Sequence, residues 1–451
     1  VPHFIPPRNS ARYVFTLTCV LWLGTWVWSP IPALAEEDEF ELQERTEWHE
    51  LPKGLNYAED VPAGYVMVGD MLRPQAALAK ATYLPNPWPN GIVPYSFDNP
   101  FPDAVYSWQG PDLVFRAEQS PTLPYINDPA GSFNTGEFEV GDVVAIIGTQ
   151  FNQVLFGSNY VIAAIDNFYI YFESGTPVVN EHVPANVTLA TLSTVSPLNQ
   201  QRFIDATLRW EAKVAGVRFV PRTNEADFIL IENGTRNRSE VGWEANGPQQ
   251  LMMNRWTKRN GGTLVHEIGH GLGYKHEHTR PDRDDFVTVI TENLNEDAGT
   301  NYDIASDSWA YPTRLNAVYD FASIMHYSQC GFSICASCSG EDTCITLAVV
   351  APEDSFWQTS MGQRDSISYW DAQVMNYIYP EVTSRFLDAN SSASGGDPGS
   401  FVRPFTTFTQ AVNGSPSGSR LIILYPESYN EPGTYSNPVA IESPLGSILI
   451  E

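Results

Sequence analysis

His266-Glu267-Ile-Gly-His270-Gly-Leu-Gly273-Tyr-Lys-His276 is the stretch whose residue types and spacing most clearly allow chemistry. Residues four apart share one face of a helix, so His266 and His270 can grip one ion together. Gly273 lets the backbone leave helical geometry, and the chain can then turn to bring in His276 as a third imidazole. Three neutral nitrogens with one position left open suit a catalytic zinc rather than a structural one. Such an ion lowers the pKa of its water toward about 7. Glu267 follows the first ligand and is placed to take that water's proton. The chain holds 8 histidines in all, so three in step with Gly273 make chance a poor explanation.

A second element lies downstream, Ser323-Ile-Met325-His-Tyr327. Together with the long histidine motif it resembles the Met-turn of the metzincin proteases. His276-Glu277-His-Thr-Arg280-Pro-Asp282-Arg283-Asp284 narrows the likeness to the astacin family. So do Trp88-Pro-Asn-Gly-Ile-Val-Pro-Tyr95, Arg218-Phe-Val-Pro-Arg222, and Met361-Gly-Gln-Arg-Asp-Ser-Ile-Ser368 with Asp371. The matches run in order from about Trp88 to Pro380.

The resemblance implies a two-lobed α+β zinc protease with one catalytic Zn2+ held by His266, His270 and His276. Glu267 would be the general base. Tyr327 would be a movable further ligand that swings to the oxyanion, since a phenol can donate a hydrogen bond or, deprotonated, bind metal. Met325 would floor the site, and Glu277 would receive the new N-terminus after activation. Met67-Val-Gly-Asp70 is similar to the family's propeptide latch, Phe-x-Gly-Asp, whose Asp ligates the zinc; Met67 stands where the Phe would be. Cleavage between about Arg73 and Ala81 would then release the enzyme. The implied partners are protein or peptide substrates. The rival class is a non-catalytic binding or adhesion protein on the same scaffold; an intact ligand set with Glu267 speaks against it.

These residues need elements to hold them. Helical period appears over Asn199 to Ala215, with Phe203, Thr207, Trp210 and Val214 on one face. Strand-like Val217–Val220 and Phe228–Ile231 follow, and a second helix starts near Gly262 with the histidines. Helix and strand are thus adjacent, as in an α+β unit. Residues 99–186 interrupt the family pattern. They hold β-branched and aromatic runs such as Glu139–Ile147, Tyr160–Ile165 and Phe168–Phe172, which read as a small β unit, a barrel being one form. Past Pro380, residues 388–400 read as a linker. Pro404–Val412 and Leu421–Leu424 then resemble the cap and first rungs of a right-handed parallel β-helix, a segment that could meet a surface or polysaccharide.

The resulting map is a signal peptide over 1–35, a propeptide over 36–80, and a catalytic domain over 81–380 carrying the 99–186 insertion. Residues 381–451 form the C-terminal β segment. Arg8 and Arg12, the apolar run Tyr13–Trp28 and Ala33-Leu-Ala35 give the signal peptide its parts; an uncleaved anchor is the rival. The reading is therefore a secreted protein with no stable membrane insertion, of bacterial source. Once Cys19 leaves, Cys330, Cys335, Cys338 and Cys344 crowd into one loop, as two disulfides of open pairing or as a four-thiolate zinc site. Lys+Arg number 25 against 53 Asp+Glu, a net charge of -28, which excludes nucleic acid as the main partner. Hydrophobic residues at 43%, with 12 Trp, 21 Tyr and 23 Phe, exclude wholesale disorder.

Overall fold

The computed structural model describes residues 65–68, 71–74, 87–97, 104–133, 138–154, 160–304, 319–335, 343–350, 354–380, 384–391, 398–400, 403–424, 428–443 and 448–450. All lie in one unit, Thr46–Glu451. The expected signal peptide, Asp70 and Cys338 fall outside the described residues.

The first described elements are the antiparallel pair β1 (Tyr65–Val68) and β2 (Met71–Pro74), then β3 (Ile92–Ser96). A β-rich excursion follows: β4 (Ala104–Gly110), β5 (Leu113–Arg116), β6 (Tyr125–Asn127), β7 (Val144–Ile147), β8 (Ile162–Ile165), β9 (Tyr169–Phe172), β10 (Glu181–Val183) and β11 (Val187–Leu192). Helix α1 (Pro197–Glu211) leads back to β12 (Arg218–Pro221), β13 (Phe228–Asn233), β14 (Arg238–Glu240) and β15 (Pro248–Met253). Helix α2 (Gly262–Gly271) carries the histidines. The lower part holds the strand pair β16 (Val287–Val289) and β17 (Leu347–Val349), then α3 (Asp354–Ser360) and α4 (Tyr369–Ile378). The chain closes with β18 (Ser384–Leu387), α5 (Phe408–Gly414), β19 (Arg420–Ile423), β20 (Ser428–Tyr429), β21 (Ala440–Glu442) and β22 (Leu449–Ile450).

The central sheet runs β1-β2-β14-β15-β13-β3-β12. Strands β12, β3, β13 and β15 pair in parallel, while β14 runs antiparallel to β15. Helices α1 and α2 cover this sheet and bury Phe203, Trp210, Leu264, Val265 and Ile268 against Ile229, Ile231 and Leu251. The predicted helix face of Phe203, Thr207, Trp210 and Val214 is buried throughout. Trp210 ties the two helices by donating from Nε1 to the carbonyl of Val265 at 2.9 Å. Tertiary burial of such a face, rather than helix propensity, is what holds a ten-residue helix like α2.

Among the described residues, the excursion forms two antiparallel sheets, β10-β5-β6-β9-β8 and β4-β11-β7. Phe115, Ile126, Phe172, Val144 and Leu189 share a core of their own. The sequence reading ended the insertion at residue 186, but β11 pairs along β4 and β7, so the unit runs to Leu192. Alternating Val187, Leu189 and the small residues between them give β11 two buried faces. The unit is fastened where the Glu139–Asp142 turn meets the helical layer. Ser196 and Asn199 donate to Gly141 O at 2.6 and 3.1 Å, and Glu139 accepts from Trp256 N at 2.7 Å.

The segment beyond Pro380 also differs from the reading. Residues 388–400 read as a linker; among the described ones, Gly399 O accepts from Phe386 N at 2.8 Å, and Phe405 N donates to Phe386 O at 2.8 Å. β18, β19 and β21 pair in parallel, as do β20 and β22. Phe386 and Ile422 join the main core, while Leu387, Leu421 and Ile423 face a smaller one with Phe408 and Val412. No helix among the described residues is long and apolar enough to cross a membrane.

Candidate active site

Helix α2 ends where its sequence says it should. Gly273 takes φ 114°, a conformation open to glycine, and its N–H bonds back to His270 O at 2.8 Å. The turn brings His276 against the helix. Ring centroids of His266 and His270, and of His270 and His276, are 4.7 Å apart, with 5.3 Å between His266 and His276. One donor nitrogen from each histidine lies within 4.8 Å of the others, and all three side chains are buried.

The outer nitrogens set the tautomers. His266 Nδ1 is 2.7 Å from Ile324 O, and His270 Nδ1 is 2.7 Å from Tyr274 O. A ring nitrogen facing a carbonyl carries the proton, so each Nε2 presents a lone pair inward. The two Nε2 atoms are 3.2 Å apart. Two lone pairs repel at that distance unless a cation lies between them. The donor set therefore fits a zinc-type ion, with backbone carbonyls orienting the ligands from behind.

The Met-turn is built from below. Ser368 caps α4, and Asp371 bonds back to it in a reciprocal capping box. The Asp371 carboxylate also accepts from Ser323 Oγ at 2.7 Å and Ile324 N at 2.9 Å. Ile324 O in turn holds His266, so one carboxylate reaches the first ligand through one residue. Met325 is fully buried under α2, and a Cβ at Gly269 would come within 2.7 Å of its sulfur. Only glycine allows helix and turn to approach so closely.

Glu267 sits in α2, 1% exposed. Tyr327 is buried with its ring centroid 4.4 Å from that of His276. Glu277 lies beside the ligands but faces a network of side chains: its Oε1 accepts from Arg280 Nη1 at 3.0 Å and Asp320 N at 2.9 Å. Arg280 also clasps Asp282 through two bonds of 2.8 and 2.7 Å. Burial pushes Glu277 up to about 7 despite Arg280. Burial, with Asp371 nearby, raises Asp320 to about 6. Burial lowers His326, between Met325 and Tyr327, to about 4. The structure brings together His266, His270 and His276, the ligands expected from the sequence, whereas Arg280, Asp320 and Ser368 were not expected as a network. The signal was present in the His276–Asp284 motif, though its partners lie far along the chain.

Cys335 and Cys344 are joined by a disulfide, with Cα atoms 5.5 Å apart. Cys330 is disulfide-bonded as well, so the disulfide alternative replaces the four-thiolate site.

A family model for Astacin, described as a peptidase family, matches residues 181–380. High choriolytic enzyme 1 of Oryzias latipes is 36% identical over 163 residues, 36% of this chain and 54% of that protein. Astacin-like metalloprotease toxin 1 of Loxosceles intermedia is 35% identical over 164 residues, 36% of this chain and 58% of its own. A solved structure of High choriolytic enzyme 1, a hatching enzyme zinc-protease from medaka fish, aligns at 33% identity and a TM-score of 0.36. It covers 41% of this chain and 84% of that one. The chain spans about half the length of the curated relatives just named. The relatives that match are eukaryotic, so they give no support to the bacterial source expected from the sequence.

Proposed function

Since the chain belongs to the astacin family through residues 181–380, we propose that it is a secreted zinc endopeptidase, made as a zymogen, that hydrolyses peptide bonds in proteins or peptides. The observation that carries this reading is the convergence of three buried imidazoles beside Glu267. Bound zinc would acidify a water and polarise the scissile carbonyl. Glu267 takes the water's proton and passes it to the leaving amine. Tyr327 donates from its hydroxyl to the developing oxyanion. His266, His270 and His276 hold the ion, with Ile324 and Tyr274 carbonyls fixing the first two rings. Met325 supports them from beneath, and Gly273 makes the turn to His276.

Latency is assigned to residues 36–80, with Asp70 as the fourth ligand in the precursor. Support comes from the flanking strands. β2 pairs in parallel with β14, so β1 and β2 form that edge of the sheet. The loop after β14 bonds α2, Gly242 N to His270 O at 2.9 Å. A strand on that edge blocks an extended substrate from adding there. Purified, uncleaved Asp70→Ala precursor should be partly active or process itself sooner. Activity as negligible as that of the uncleaved wild type would remove the latch and leave the enzyme assignment standing.

The assignment itself is tested on an unfolded protein substrate such as casein, with the processed protein. A zinc chelator should abolish cleavage and added zinc should restore it. Cleavage indifferent to chelation, or none from zinc-loaded processed protein, would refute it.

A further inference from the structure

Tyr327 is enclosed by rings. His276 lies 4.4 Å away at 53°, His278 at 4.1 Å and 30°, Phe332 at 5.8 Å and 33°, and Tyr302 at 5.9 Å and 77°. The nearest and flattest of these contacts is His278, which no role above requires. It is wholly buried. Its Nε2 is 3.1 Å from Asn301 O, which fixes the ring's rotation. Its backbone is fixed too: Arg283 donates to His278 O at 3.1 Å, and Thr279 Oγ1 donates to His276 O at 2.8 Å. The short turn Glu277–Thr279 therefore presents an immobile aromatic face beside the third ligand.

We propose that His278 is a positioning residue whose ring face guides Tyr327 beside the metal site. The inference rests on the reading of Tyr327 as a group that serves both metal and oxyanion. Such a tyrosine must shift its hydroxyl without losing its bearing. Two flat rings in contact resist tilting, because tilting opens a gap on one side. They resist sliding in the shared plane far less, because contact is kept. A stacked partner thus acts as a track, and a partner set edge-on would not. The function lies in the flat face of His278, while its bond to Asn301 holds that face in place.

The test uses the processed full-length protein loaded with copper(II), in which a coordinated phenolate gives a charge-transfer absorption. Wild type should show the band and Tyr327→Phe should lack it. His278→Phe keeps a ring without the hydrogen bond and should retain the band. His278→Gln keeps a donor without a ring and should weaken or shift it at unchanged copper content. His278→Leu, which fills the space without a ring, should behave like Gln. In the zinc forms, both ringless variants should lose roughly two- to tenfold in kcat, the rate equivalent of one aromatic pair, with KM little moved. Ringless variants with a wild-type band and kcat would overturn the proposal. So would His278→Phe failing as badly as Gln, or both ringless variants failing to hold copper, which would assign His278 to folding alone. A wild type without the band would instead refute the reading of Tyr327, and the inference with it.

Discussion

Glu267 and its neighbours in α2 separate two jobs that one short motif combines. Glu267→Gln should keep the three imidazoles and the metal, because it changes neither ligand nor helix. It should lose at least the ~10²–10⁴-fold that a general base contributes. Metal analysis beside a peptidase assay checks this, and near-wild-type activity in the Gln variant would disprove the mechanism. The ligands were legible in the sequence because their spacing is local, His266 to His276 within one helix and its exit turn. The groups that orient them were not. Ile324 O is 58 residues from His266, and nothing in either segment alone announces the bond. Tyr327 is singled out by the family resemblance alone, whereas its enclosure by His278, Tyr302 and Phe332 needed the folded chain.

Elements here are joined by single buried carboxylates. Asp371 completes the capping box of α4 and holds the Met-turn, so Asp371→Ala removes half of that box and leaves Ser323 and Ile324 without their acceptor. We expect a loss of about 2–4 kcal/mol in denaturant titration, with weaker zinc binding because Ile324 no longer fixes His266. Unchanged zinc affinity would show that the ligand does not depend on this support. Asp142 plays the equivalent part for the insertion, accepting from Glu139 N at 2.8 Å within the turn that meets α1. Burial raises it to about 7, opposed by its hydrogen bonds. Its unfolded value is about 4, so the folded chain binds this proton more tightly. The stability it contributes is complete below about pH 4 and is lost as pH rises to about 7. Asp142→Asn should flatten that window, read as thermal midpoint against pH, and an unaltered slope would reject the assignment. The β-branched and aromatic runs of the insertion were readable, as was its all-β character. Its last strand was not, because Val187–Leu192 lies directly before a helix and only pairing with β4 and β7 assigns it.

Across the molecule, residues that read as tail belong to the main core. Phe386 is 2% exposed and shares the main core with Trp88, Val217 and Met375. Phe386→Ala should therefore cost about 3–5 kcal/mol in the unfolding of the whole, not of the tail alone. A separate early transition confined to the tail, with the main one unmoved, would contradict this. Composition showed the turn-rich, Gly/Ser segment but not the burial of Phe386 and Leu387 in β18, which is only four residues long. The insertion is attached differently. Its entering and leaving strands pair with each other, Val187 opposite Gly110 and Leu192 opposite Ala104. Its two ends thus meet at neighbouring points on the host. A piece of chain with this property can be gained or shed during evolution without shifting the register of anything around it. Cutting it out and closing the gap with a short turn should leave the histidine site intact, which makes the unit a natural position for exchange with foreign modules.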